Sequence, residues 1–144
     1  MSIGLFTAKK MVISEEIAIK VREVLLNANL GVDVVWQRSG YEKTKEIVIV
    51  PHASTGEGSL RESAVIINIH CPDLFNGSAY ETDIQSFIDL KKSVVSAVKR
   101  YYWKGTGINW AVKSIGSYAK EPDYNEHFCS IYLTAYIRER NISI

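Results

Sequence analysis

Five residues carry the side chains most often used for metal binding or proton transfer: His52, His70 and His127, and Cys71 and Cys129. Cys71 follows His70 directly, and Cys129 comes two residues after His127. Zinc takes four ligands, commonly in such close pairs. Both pairs lie in runs that read as strands, where neighbouring residues point to opposite faces, so His70 and Cys71 cannot share an ion without distortion. The cysteines read as small buried hydrophobes, and no metal or cofactor is expected. Asp33, Lys45 and Glu46 suggest a metal-dependent nuclease, in which two carboxylates hold a divalent ion beside a lysine. Such sites use a Glu-x-Lys, but Val48 stands two after Glu46, so these charges read as strand-edge charges. His52, Ser54, Thr55 and Ser59 are loop residues, no G-x-S-x-G turn presents a serine, and His70 has no visible partner as a base.

Two further motifs fail on context. GTGINW (105–110) begins like a phosphate loop, but it follows a helix-like segment instead of a strand and lacks the GK[ST] ending. KRYYWK (99–104) mixes basic and aromatic residues as single-strand nucleic-acid binders do, with Tyr101, Trp103 and Lys104 as candidates. The favoured reading is the end of an amphipathic helix, with Tyr102 on the core side and Lys99 and Arg100 on the wet side. Seventeen Lys and Arg against 16 Asp and Glu give a formal charge of +1, so no bulk field attracts nucleic acid or an anionic membrane. No apolar run has the length of a secretory h-region or a membrane span, and a soluble cytoplasmic protein is expected.

These residues need elements to position them. Residues 1–13 read as a short strand or arm. Ser14 caps a helix over 14–29 carrying Ile17, Val21, Val24, Leu25 and Ala28 at helical spacing. VDVVWQ (32–37) and EIVIV (46–50) read as a hairpin across the turn 38–45. PHASTGEGSL (51–60) is a flexible loop, SAVIINIHC (63–71) a third strand, and 72–80 a second long loop. Thr82 or Asp83 caps a helix over 82–103, ended by Gly105 and Gly107. INWAVKSIGSYAKEP (108–122) and HFCSIYLTAYIRER (127–140) read as strands around the turn 121–126. The expectation is a single α+β domain over 1–144, a mostly antiparallel sheet of about five strands with two main helices, in the order α-β-β-β-α-β-β.

The last strand points to assembly. Cys129, Ile131, Leu133, Ala135 and Ile137 occupy one face, while Phe128, Tyr132 and Tyr136 lie on the other, with Trp110 read as continuing that aromatic patch from the neighbouring strand. A sheet apolar on one side and aromatic on the other must cover both. Either the two helices split between the faces, or the second face meets another subunit.

The order of elements, with AVIINIHCPDL (64–74), an open loop, TDIQSFIDLKKSVVSAVKRYY (82–102) and a closing strand, resembles small tail-terminator, tail-completion and head–tail joining proteins of tailed bacteriophages and prophages. That resemblance covers about 14–138 in layout and carries over no catalytic residue. It implies a non-catalytic virion assembly protein, made in the bacterial host cytoplasm and built into the virion. It implies a homo-oligomeric ring, often a hexamer, in contact with tail-tube or connector proteins, with no membrane and no direct nucleic-acid partner. Phe128, Tyr132, Tyr136 and Trp110 are the expected interface, and loops 51–60 and 72–80 the expected partner contacts. The alternatives are a small nuclease or hydrolase using His70, Asp33 or Glu46, and a binding module using the aromatic strand.

Overall fold

The computed structural model describes residues 13–55, 60–104 and 107–138. The reading of residues 1–13 as an arm therefore lies almost wholly outside the described residues. So do residues 56–59, Ser59 among them, Gly105 and the end of the last strand at 139–140, while the rest of the loop expected over 51–60 is strand instead, residues 51–55 continuing one strand and Leu60 opening the next. Among the described residues two helices, α1 (Ser14–Asn27) and α2 (Ile84–Val98), accompany nine strands. The strands are β1 (Asp33–Val35), β2 (Glu46–Thr55), β3 (Leu60–Pro72), β4 (Leu74–Phe75), β5 (Tyr80–Glu81), β6 (Arg100–Trp103), β7 (Ile108–Ile115), β8 (Ala119–Lys120) and β9 (Glu126–Arg138). The main sheet runs β1-β2-β3-β9-β7-β6, with β8 pairing the start of β9, and β4–β5 form a separate hairpin. All pairings but β1–β2 are antiparallel, as in the expected α+β class.

The helices form because apolar residues recur every three or four positions. Ile17, Ala18, Val21 and Leu25 of α1, and Phe87, Leu90, Val94 and Val98 of α2, are all buried. They face one side of the sheet, where Ile47, Ile49, Val65, Ile67, Ile69, Ile131 and Leu133 complete the core. Asp83 rather than Thr82 caps α2, accepting from the Ser86 amide at 3.2 Å. Ser14 is the first helical residue of α1, and its place as a cap is taken by Ile13, whose amide donates to Glu16 Oε1 at 3.4 Å.

Three local expectations are corrected. The helix read over 82–103 ends at Val98, and Arg100–Trp103 is a strand. The aromatic residues of that segment alternate, Tyr101 and Trp103 packing toward the core and Tyr102 exposed, which is the period of a pleated strand. β1 and β2 pair in parallel, Asp33 with Glu46 and Val35 with Val48, and are not a hairpin. The chain over 36–45 must therefore travel back to begin β2 beside the start of β1. The loop expected at 72–80 holds the β4–β5 hairpin instead, Leu74 pairing with Glu81 and Phe75 with Tyr80.

Both helices cover the same face of the sheet, because α1 and α2 touch each other and share the β3 surface. Trp110 belongs to that covered face. It pairs with Ala135, is 1% exposed, and stacks on Tyr101 with ring centroids 4.5 Å apart. Its placement in the exposed aromatic patch is corrected by this register, since a residue shares the face of its cross-strand partner. Tyr102 takes the place assigned to Trp110: its row runs Tyr102–Asn109–Tyr136 across β6, β7 and β9. Trp110→Ala is expected to lower unfolding free energy by about 3–5 kcal/mol, measured by urea denaturation of the monomer. A small loss would mean that Trp110 is not core.

Candidate functional site

The only cluster of charged side chains among the described residues that is both buried and mutually bonded sits at one end of the helix-free face. Its centre is Arg38, in the connection that returns from β1 to β2. The Arg38 guanidinium grips Glu126 with two bonds, Nε to Oε2 at 3.1 Å and Nη2 to Oε1 at 2.7 Å, while Nη1 donates to Glu46 Oε1 at 2.6 Å. The fork geometry suits two parallel bonds to one carboxylate. Glu46 also accepts from the Ser39 and Gly40 amides at 3.0 and 3.1 Å and from the Ser39 hydroxyl at 3.0 Å. Glu126 Oε1 takes the Glu42 amide at 2.8 Å, with Glu42 held in the left-handed region at φ 61°. A Cβ at Gly40 would overlap the Thr44 hydroxyl, so a larger residue there would oblige the Thr44 side chain to shift.

His70, the register partner of Glu46, completes the cluster: its Nδ1 lies 3.3 Å from Glu126 Oε2. An ionised carboxylate only accepts, so the bond assigns the proton to Nδ1. Phe128 stacks on the other side of the His70 ring at 5.3 Å, and Tyr41 stacks on Tyr124 at 4.1 Å. Burial opposes ionisation of Glu46, but the Ser39 and Gly40 amides and Arg38 outweigh it and hold the carboxyl at about 2. Burial likewise opposes ionisation of Glu126, and Arg38 with the Glu42 amide pulls it below the ordinary value. Burial lowers His70, and the Arg38 charge adds to that against the opposing pull of Glu126.

The same geometry limits what the cluster can do. His70, Glu121 and Glu126 bring potential ligand atoms within 4.8 Å of one another. Both Glu126 oxygens already hold the guanidinium, so a divalent cation there would face a fixed positive charge at hydrogen-bond range. The trio does not fit a metal. Of the residues considered for hydrolysis, His70 and Glu46 share the cluster. Asp33 is exposed and borders a separate open cleft of 530 Å³, lined also by Lys43, Lys45, Asp73 and Asp83.

A second polar chain lies nearby. Asp73 Oδ1 is 2.6 Å from His127 Nδ1, and His127 Nε2 is 3.3 Å from Thr82 Oγ1. Carboxylate, imidazole and hydroxyl in that order resemble an acyl-transfer triad. Two amides at the adjacent start of α2 are already engaged, Ile84 N with the Thr82 carbonyl and Ser86 N with Asp83. Neither His127 nor Thr82 lines the cleft. The chain of bonds ties the start of β9 to the segments flanking the β4–β5 hairpin. Cys71 and Cys129 are buried among core residues, and burial pushes the Cys71 thiol up to about 12.

The other site residues fall as follows. Tyr132 and Tyr136 are 39% and 43% exposed on the helix-free face, and Phe128 is half-buried against His70. Tyr101 and Trp103 turn to the core, with the Lys20 ammonium 5.6 Å from the Trp103 ring, so neither is presented beside Lys104 for a nucleic-acid base. Sequence reasoning missed Arg38 and Glu126, both placed in turns. Their only signal is a lone arginine and a lone glutamate 88 positions apart.

No family model and no curated protein matches the chain. Among solved structures it is similar to a protein known only by a sequence identifier, with a TM-score of 0.51 and 15% identity over 87% of this chain and 94% of that one. At that identity the likeness concerns the fold. No helix among the described residues is long and apolar enough to cross a membrane.

Two predictions test the cluster. Arg38→Met leaves two buried carboxylates without a counter-charge and is expected to cost about 3–5 kcal/mol, read by urea denaturation; a loss under about 1 kcal/mol would show that the bonds are not formed. Glu46, Glu126 and His70 all release protons more readily folded than unfolded, so the unfolded chain binds more protons and stability rises with pH. Stability should fall as pH drops below 6.5 through His70, and again below 4.5 through Glu126 and Glu46, the Glu46 part extending down to about 2. His70→Asn should remove the first step and keep the second.

Proposed function

We infer that this protein works by self-association, as a non-catalytic virion assembly protein that resembles the ring-forming tail-terminator and neck components of tailed phages. One observation carries the reading: both helices lie on the same side of the sheet. The opposite side presents Tyr102, Tyr132 and Tyr136 with the half-buried Ile66 and Val50. Exposed tyrosines around a neutral centre, with Glu62 beside Tyr136 at one end, resemble the composition of subunit contacts, and a net charge of +1 leaves little repulsion between copies. The buried carboxylates favour a structural role, because each is held by Arg38 rather than open to a substrate. In this reading the subunits form a closed ring that meets tail-tube or connector proteins.

Tyr132→Asp places a charge at the centre of this face. The variant is expected to keep its far-UV circular dichroism and to lose higher-order species in multi-angle light scattering over a concentration series. Loss of the far-UV signal would make Tyr132 a folding residue. An unchanged mass distribution would move the contact elsewhere.

A further inference from the structure

The β4–β5 hairpin is the most apolar protrusion among the described residues. Leu74, Phe75 and Tyr80 are each more than half exposed, and Phe75 and Tyr80 meet edge to face with centroids 5.0 Å apart. Its segment LFNGSAY (74–80) holds no charge. Its only substantial element-to-element packing is between its own two strands, yet its shape is fixed. Asn76 Oδ1 accepts from the Ser78 and Ala79 amides at 3.0 and 2.9 Å and from the Ser78 hydroxyl at 3.2 Å. The Asn76 amide donates to the Ala79 carbonyl at 3.0 Å, and Gly77 supplies φ 101°. A pre-ordered hairpin loses little entropy on docking, so its exposed rings are available as binding energy.

Resting on the self-association reading, we propose that this hairpin is the partner of the helix-free face: Phe75 and Tyr80 of one copy seat on the Tyr132–Ile66 region of the next. The two surfaces match in chemistry, both aromatic and both uncharged across their centres, since the rows Ser114–Tyr132–Ile66–Val50 and Ser130–Asn68 hold only neutral side chains. The contact cannot close within one chain. The hairpin leaves the sheet just after Pro72, whereas Tyr132 pairs with Ile66, six residues earlier on β3, so the face centre lies roughly 20 Å back along the strand. A hairpin with two-residue strands reaches only about 10 Å. The occupant is therefore a second copy. Because two different patches meet, the contact is head-to-tail and propagates to a ring or a filament instead of stopping at a symmetric dimer.

The test uses the full chain, with Phe75→Asp and Tyr132→Asp checked for folding by circular dichroism. Wild type is expected to be oligomeric in sedimentation velocity, and each variant alone monomeric, with self-association weakened about 100-fold or more. The decisive sample is the equimolar mixture. Phe75→Asp keeps an intact face and Tyr132→Asp keeps an intact hairpin, so the mixture should give a 1:1 dimer and nothing larger. Oligomeric wild type with a monomeric mixture, or with a Phe75→Asp variant that still assembles, overturns the hairpin–face contact and leaves self-association standing. Wild type that stays monomeric at every concentration overturns self-association itself. If Phe75→Asp fails to fold, Phe75→Ala with Tyr80→Ala takes its place in the same mixing scheme.

Discussion

A sheet has two faces, and here one layer of helices must serve for both. α1 and α2 lie side by side over β2, β3 and β7, so the core they close is one-sided. Everything on the other face follows from that. Its side chains are not the continuous apolar set of a doubly covered sheet, and no helix or strand among the described residues dries most of it. They cannot be wholly polar either, because Ile66, Val50 and Val48 continue the β-branched character of β2 and β3. The result is an intermediate surface of hydroxyls, amides and tyrosines around a few aliphatic residues. Such a surface is tolerated in water and is also suited to a partner.

Among the described residues one end of that face is sealed, and it is sealed by charge. The parallel pairing of β1 with β2 obliges the chain to return over 36–45, and Arg38 anchors this return to Glu46 at the start of β2 and Glu126 at the start of β9. Apolar side chains could fill the same volume with equal or greater stability. Apolar contact has no direction, however, whereas a guanidinium fork accepts a carboxylate in a narrow range of positions. With the Ser39, Gly40 and Glu42 amides aimed at the same two carboxylates, five backbone and side-chain groups agree on one path for the connection.

The sequence makes the elements legible where periodicity is long. The apolar spacing of α1 and the first four turns of α2, the alternation of β9 and the run in β3 all correspond to observed elements. It is least legible where two periods coincide. Val98, Tyr101 and Tyr102 continue the helical spacing of α2, while Tyr101, Tyr102 and Trp103 also fit a strand, and pairing with β7 decides for the strand. Residue type alone places Trp110 in an aromatic patch, but facing is set by register, and register with β9 depends on a turn and a bulge near Val112 that a single sequence does not reveal. Arg38 and Glu126 were illegible for a related reason. Their contact spans 88 positions, and neither sits in a pattern that requires the other.

The charge cluster and the tyrosine face occupy different parts of the helix-free side, and in the proposed assembly that division separates folding from association. Where carboxylates come together they are neutralised within the chain and removed from water, so they offer a neighbouring molecule little field to recognise. Around Tyr132 the groups on offer are rings, hydroxyls and aliphatic side chains, whose contacts depend more on fit than on net charge, while Glu62 stands beside Tyr136 farther along the face. An interface of that composition is only weakly screened by salt. Long-range attraction does little to speed the encounter, so the stability of any complex rests on how well the surfaces pack once they meet. A hairpin already fixed by its own Asn76 turn meets that requirement better than a mobile loop would, because the shape presented to the face does not have to be formed at the moment of contact.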